Sequence, residues 1–383
     1  MLTTSQTDID RILTALDAYR GTHPPALSLP PESYRSPELW ELERQKIFHR
    51  SWWLVAHADQ LAETGDYVAV SIAGEQIVVT RAADGELYAL SPICRHRLMP
   101  LVKDGAGHTD SFTCQYHLWK YGLDGRLKGA PYMGGNKEFE AEQCRLPGFA
   151  VADWNGFVWV NLDANAAPIG DHLDLAAPQF DNYRLGEMVQ VDSWSMPWQV
   201  NWKLVMENGH ENYHVIGLHR ETLEPFMPGG GDLHVETYSP WVLHARIPFT
   251  LPLPSDTLAL SDIQQRHGML LMTFPTGAFI ALSDRVVWLS ILPQTVDRVQ
   301  VVGGVLTTPE LARDSAEVEL TQQAVTAMIN DEDRVGLEAV QRGVTSRYAQ
   351  RGHLSPKESP GILAFYRNLA TALLDDNPWP GSR

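Results

Sequence analysis

Cysteine is scarce: Cys94, Cys114 and Cys144 are the only three in 383 residues. Three thiols cannot build a disulfide framework, which excludes the small secreted scaffolds and leaves buried or metal-bound thiols in a reducing compartment. Positive charge is also in deficit, with 30 Lys and Arg against 47 Asp and Glu and a formal net charge of −17. That balance argues against a nucleic-acid partner, because gripping phosphate requires a basic surplus that displaces its counterions. No apolar run reaches the 18 or more residues of a membrane span. The opening stretch, MLTTSQTDIDRIL, lacks the basic start and apolar core of a secretory signal. A soluble, cytoplasmic protein without membrane or nucleic-acid partners is the expectation. Internal repeats, low-complexity tracts and long blocks of like charge are missing as well.

What is present is an apolar content of 44%, twelve Trp and a length suited to two or three domains. Residues 8–22 read as a helix, followed by a Pro-rich connection, HPPALSLPPESY, that cannot be a helix interior. Residues 38–48 read as a second helix, whose Leu39, Trp40, Leu42 and Ile47 fall within an arc of roughly 160°. From Trp52 the pattern changes to short apolar runs cut by Gly, Asp and Asn, the punctuation of a small antiparallel β-domain over about 50–160. Trp52, Trp53, Trp154 and Trp159 fall inside it and read as core. A second region begins near Asp174, with a helix around 199–218, strands through roughly 230–305 and a helix from about 310 to 345. Ile362, Phe365, Leu369 and Leu373 mark a last helix near 361–375.

The strongest local signal is Cys94-Arg95-His96, then 17 residues, then Cys114-Gln115-Tyr116-His117. Each half places a thiolate and an imidazole on one tight loop. Two Cys and two His suit zinc as well as iron–sulfur chemistry, so ligand type alone leaves both open. A zinc finger would carry both histidines on one short helix, whereas each Cys here has its own His in a β-rich setting. The pattern closely resembles the Rieske [2Fe–2S] motif. The resemblance implies that Cys94 and Cys114 bind one iron and His96 and His117 the other. The flanking Arg97, Trp119 and Tyr121-Gly122-Leu123-Asp124-Gly125 extend it, with a hairpin turned at Asp124-Gly125. Three positions depart from the family pattern: Arg95 replaces the usual Pro, and Leu98 and Leu118 replace small residues, often Gly. Bulk and charge there bear on potential or docking and remove no ligand. Cys144 lies outside the motif and reads as a structural thiol.

The second constellation runs from Asn201 through Glu207, Asn208, His210, Glu211 and His214 to His219. Glu211 and His214, three apart, share a helix face. His214 and His219, five apart, are about 140° separated on a regular helix, so both reach one metal only if the helix bends or ends between them. Gly217 is the expected place. The segment resembles the catalytic motif of Rieske non-haem oxygenases, in which two histidines and a distant carboxylate hold Fe(II). The resemblance implies His214 and His219 as ligands and Glu211 as the carboxylate bridging to the cluster histidine of a neighbouring subunit. Many members have Asp at that bridge. His210 points about 100° away from Glu211 and stays outside the ligand set. The carboxylate ligand is expected in Asn330-Asp331-Glu332-Asp333. Asp333 followed by Gln341 fits the family spacing, with Asp331 as the alternative.

The resemblance covers the chain from about residue 35 onward. It implies an α+β protein: a Rieske-type all-β iron–sulfur domain over 50–160 and a helix-grip-like antiparallel-sheet catalytic domain over 161–383, with residues 1–49 forming N-terminal helices packed on the latter. The implied protein is the terminal oxygenase of a homotrimer, with Asn208 joining Glu211 among the catalytic residues. Electrons come from NADH or NADPH through a separate reductase, with or without a ferredoxin, and O₂ oxidises a small organic substrate. Hydroxylation of an aromatic compound is the leading activity. The alternative is removal of N- or O-methyl groups, including from quaternary ammonium compounds, for which some of the twelve Trp are candidate cage residues. Val205, Met206, Asn208 and the strands around Met269–Phe279 are expected to wall the pocket.

Overall fold

β-Branched and aromatic runs become the longer strands of the first of two units, Trp52–Ile169. The computed structural model describes residues 6–239, 241–376 and 378–379. In chain order the unit's strands are β1 (Trp52–His57), β2 (Asp66–Ile72), β3 (Glu75–Arg81), β4 (Leu87–Leu90), β5 (Gly105–His108), β6 (Phe112–Thr113), β7 (Lys120–Tyr121), β8 (Leu127–Gly129), β9 (Gly148–Trp154) and β10 (Phe157–Asn161). They form one antiparallel sheet in the order β1-β10-β9-β4-β3-β2-β5 and a small sheet β6-β7-β8. Two-residue turns fix the register. Asn155-Gly156 closes β9–β10 with both residues at positive φ (51° and 83°), the primed turn whose twist matches antiparallel strands. Trp53 and Trp159 are each 1% exposed and Trp154 is also buried, while Trp52 is half-buried and donates its indole N–H to the Ala167 carbonyl at 3.0 Å. A second core of Cys94, Cys114, Phe112, Trp119 and Tyr121 lies beneath the loops that follow β4 and β6, and half-buried Cys144 packs against it.

The other unit joins the segment before Trp52 to the chain from Gly170 onward. Its helices are α1 (Gln6–Asp17), α2 (Pro37–Glu43), α3 (Gly170–Leu173), α4 (Trp202–Gly209), α5 (Val215–Leu218), α6 (Asp262–Arg266), α7 (Ser315–Val325), α8 (Arg334–Val344) and α9 (Ser359–Leu374). Ser36 caps α2 by accepting the Leu39 amide, and Pro37 occupies its first turn, where a missing N–H costs nothing. Glu43 at the end of α2 pairs with Lys203 at 2.6 Å and accepts the Trp202 indole N–H at 3.0 Å. Burial drives the two pKa values toward each other, Glu43 up and Lys203 down, and removing one partner would leave a buried charge at a cost of about 3–5 kcal/mol. Among the described residues no helix is long and apolar enough to cross a membrane.

The unit's curled antiparallel sheet consists of β11 (Val189–Trp198), β12 (His234–Ser239), β13 (Val242–Pro248), β14 (His267–Thr273), β15 (Gly277–Leu282), β16 (Arg285–Thr295) and β17 (Arg298–Thr307), in the order β11-β17-β16-β15-β14-β13-β12. The pattern in the sequence does not disclose β11, because it is a half-exposed edge strand carrying Pro197, a residue the middle of a sheet would reject.

Two helical expectations are corrected. The helix foreseen over 199–218 is broken: α4 ends at Gly209, and α5 is a single turn beginning after His214. The break therefore precedes His214 and does not wait for Gly217. α9 packs against the break, where a Cβ on Gly361 would stand 1.8 Å from the His210 carbonyl oxygen, so only a glycine fits there. The long helix foreseen over 310–345 is interrupted by a π-helical segment, Thr326–Asp333, between α7 and α8. Such widened turns are rare and concentrate at functional sites.

Candidate iron sites

Two loops of matching geometry carry the Cys and His residues of the smaller unit. In the first, the Cys94 carbonyl accepts the Leu98 amide at 3.0 Å and the Cys94 amide donates to the Met99 carbonyl at 3.0 Å. In the second, the Cys114 carbonyl accepts the Leu118 amide at 2.9 Å and the Cys114 amide donates to Trp119 at 2.8 Å. Each loop turns through a left-handed leucine, Leu98 at φ 59° and Leu118 at φ 60°, which explains why glycine suits both positions. Both thiols are buried, and the His96 and His117 rings stand 4.6 Å apart between centroids. His96 stacks on Trp119 at 4.9 Å, and the Tyr121 hydroxyl lies 3.5 Å from Cys94 Sγ while accepting the Arg95 amide at 3.0 Å. Burial, reinforced by the contact with Cys94, raises the Tyr121 pKa and keeps that hydroxyl protonated. The fit to a cluster rests on His117: its Nδ1 is buried without a hydrogen-bond partner, a costly state for a polar atom unless the nitrogen is a ligand. Two buried thiols and two clustered imidazoles supply the donor set of a [2Fe–2S] centre with mixed ligation.

The larger unit gathers a second set from α5 and the π-helical segment. One ligand atom from each of His214, His219 and Asp333 lies within 4.8 Å of the others. His219 Nε2 is 3.0 Å and His214 Nε2 3.8 Å from Asp333 Oδ1. The opposite nitrogens are held by carboxylates: His214 Nδ1 by Glu211 Oε1 at 2.6 Å and His219 Nδ1 by Glu332 Oε2 at 2.7 Å. Anchoring Nδ1–H in this way selects the tautomer whose Nε2 carries the free lone pair, and it fixes both rings toward one point. Glu211 Oε2 also accepts the amides of Tyr213 and His214, so one side chain holds the turn before α5 and aims His214. This corrects the expected helix-face relation: Glu211 lies in the break and holds the turn that leads into α5. Burial alone would lower the pKa of His219, but Asp333 and Glu332 outweigh it and raise it, so the site attracts positive charge. Three converging donors with their outer nitrogens satisfied suit a divalent iron with open positions.

Asn208 donates to Asp333 Oδ1 at 3.1 Å and steadies the carboxylate from α4. Gln341 accepts the Asn201 amide at 2.8 Å and thereby ties α8 to the start of α4. Asp331 is exposed and lies outside the gathered group. His210 is likewise outside it: its Nδ1 meets the Met206 carbonyl at 2.6 Å, and burial pushes its pKa down to about 4. Glu332 is the residue the sequence did not single out. On a regular helix it would point about 100° away from Asp333, and no local signal announces the π-turn. A cavity of about 180 Å³ opens onto all three ligand residues and is walled in part by Val205, Met206, Asn208, Leu270, Met272 and Ala278.

A cluster-binding β-unit and a curled-sheet unit with a two-histidine, one-carboxylate site together define an iron-dependent oxidoreductase. Comparison with known proteins makes the class specific. A family model for the Rieske [2Fe-2S] domain matches residues 51–141, and one for the ring hydroxylating alpha subunit (catalytic domain) matches residues 185–375. The chain belongs to the Rieske-type non-haem iron oxygenases, as an alpha, or terminal oxygenase, subunit. It is 33% identical over 230 residues to the glycine betaine monooxygenase oxygenase subunit of Chromohalobacter salexigens, covering 58% of this chain and 50% of that one. It is 34% identical over 197 residues to the anthranilate 1,2-dioxygenase large subunit of Acinetobacter baylyi, covering 49% and 41%. The match thus spans about half the length of these curated relatives. Among solved structures, the quaternary ammonium Rieske monooxygenase CntA with gamma-butyrobetaine superposes with a TM-score of 0.78 at 24% identity, over 94% of this chain and 98% of that one, a likeness of fold.

Proposed function

We propose that this chain is the terminal oxygenase of a multicomponent system, in which O₂ oxidises a small organic substrate beside His214, His219 and Asp333 with electrons from a separate reductase. The observation that carries the reading is the convergence of those three ligands at the wall of a largely apolar cavity. Cys94, Cys114, His96 and His117 would hold the cluster, and the three-residue set the single iron. When bound, the irons supply the redox chemistry, and the chain supplies binding, orientation and exclusion of water.

Of the two expected activities, monooxygenation with removal of a methyl group is better supported than hydroxylation of an aromatic ring. The glycine betaine and carnitine monooxygenase subunits favour it, and the anthranilate dioxygenase subunit favours the other. Glu211 takes the part of a positioning residue. A carboxylate offers about four acceptor sites; His214 Nδ1 and two backbone amides use three, leaving one for an imidazole N–H of a neighbouring subunit's cluster. That free acceptor is compatible with the homotrimer that the family resemblance implies, in which clusters and iron sites are shared between chains. The test is turnover with reductase, NADH or NADPH and ¹⁸O₂ over methylated amines, methyl ethers and aromatic compounds. Substrate-dependent O₂ uptake with formaldehyde release supports the reading. Labelled cis-diols would transfer it to ring dioxygenation, and uptake independent of every compound would defeat it.

A further inference from the structure

We infer that the cavity beside the three ligands takes an uncharged, apolar, methyl-bearing molecule and excludes substrates that carry a carboxylate. The inference rests on the oxygenase reading above and narrows its substrate. An apolar cavity of roughly 150 Å³ holds one benzene molecule, so a volume of about 180 Å³ suits a single small ring or a compact branched chain with few substituents.

The chemistry of the walls decides the class. Strands β14–β16 present Leu270, Met272, Ile280 and Leu289, and the π-helical segment adds Met328 and Ile329. Among the described residues lining the cavity there is neither Lys nor Arg, and the charged groups are the acids Glu211 and Asp333. A bound carboxylate would lose its water in an apolar chamber with no cationic side chain to pair with it. The metal does not rescue it, because the two positive charges of ferrous iron would already face three carboxylates, Asp333, Glu211 and Glu332. A quaternary ammonium group would meet those acids but no aromatic cage. Its recognition uses several aromatic faces around the cation, and Trp198 is the single aromatic ring besides the histidines among the described lining residues. Most of the chain's twelve Trp therefore contribute nothing to this wall. Glycine betaine, a quaternary ammonium carboxylate, is mismatched on both counts.

The experiment is isothermal titration of the anaerobic, iron-loaded full chain with two neutral probes, N,N-dimethylaniline and anisole, against glycine betaine, anthranilate and choline. We expect both neutral probes to bind at least about tenfold more tightly than glycine betaine or anthranilate, the preference an unpaired buried charge imposes, and more tightly than choline, which finds no aromatic cage here. A charged probe that binds more tightly than both neutral ones overturns the inference, as does failure of both neutral probes to bind. Ile280→Arg, which places a cation on a half-buried wall position, should reverse the preference between anisole and anthranilate, with unchanged cluster absorbance as the folding control. If that variant does not fold, the ranking by the wild-type protein decides. Adding reductase and O₂ separates this claim from the one beneath it. Tight binding of neutral probes without oxidation of any compound defeats the oxygenase reading and leaves the cavity assignment standing. Formaldehyde from glycine betaine ahead of the neutral probes sustains the oxygenase reading and overturns the cavity assignment.

Discussion

The two ligand sets are built in opposite ways. The cluster residues sit on two near-identical loops between short strands, so each Cys–His pair is fixed by its own backbone hydrogen bonds. The single-iron site draws on residues 114 positions apart, and its geometry depends on a helix break, a π-turn and two carboxylates that aim the rings. A site of the first kind survives or fails as a local unit. A site of the second kind is sensitive to the elements that position it, and the difference can be tested by substitution.

The largest expected effects are reciprocal. Asp333→Ala, or alanine at His214 or His219, should abolish turnover and deplete the single iron while leaving the cluster spectrum intact. Cys94→Ser should remove the cluster and its sulfide while leaving the single-iron site able to bind Fe(II). Asp331→Ala should behave as wild type, because its side chain is exposed and outside the gathered set. Iron loss in Asp331→Ala together with full activity in Asp333→Ala would move the ligand by two residues.

Smaller losses should follow from the carboxylates behind the rings. Glu211→Gln keeps the size and removes the charge, so both centres should assemble while reoxidation of the pre-reduced cluster, followed optically after mixing with substrate and O₂, slows by about 10–100-fold. Reoxidation at the wild-type rate would end the bridging role. Glu332→Gln should weaken iron binding at His219 by about 10–100-fold in a chelator competition and leave the cluster untouched. The smallest effect belongs to the cluster loops. Leu98 and Leu118 are exposed, so replacing either by Gly removes left-handed strain without opening the core. We expect a net stabilisation of less than about 1 kcal/mol, read as a slight rise in Tm.

The same contrast explains what could be read from the amino acids. Cys94-Arg95-His96 and Cys114-Gln115-Tyr116-His117 announce their chemistry through spacing, because each loop is a contiguous stretch whose hydrogen bonds close on itself. Short apolar runs cut by Gly, Asp and Asn likewise disclose most strands and place Trp53 and Trp159 in the core. The single-iron site was only half legible. His214 and His219 stand out by density, whereas Asp333 required a family resemblance and Glu332 carried no signal, since a π-turn is a property of packing and not of local propensity. The same holds for the break at His210, which Gly361 of another helix packs against. Strand β11 escaped notice because an edge position tolerates the exposed residues and Pro197 that blur its pattern.

The central claim is that one chain holds two separate iron centres with independent ligand sets. Iron and acid-labile sulfide should be counted per chain in anaerobically purified wild type, Cys94→Ser and His214→Ala/His219→Ala. The account predicts about three iron and two sulfide in the wild type, about one iron and no sulfide in the first variant, and about two iron and two sulfide in the second. Stoichiometric zinc without sulfide in the wild type, or loss of all iron in both variants, would contradict it.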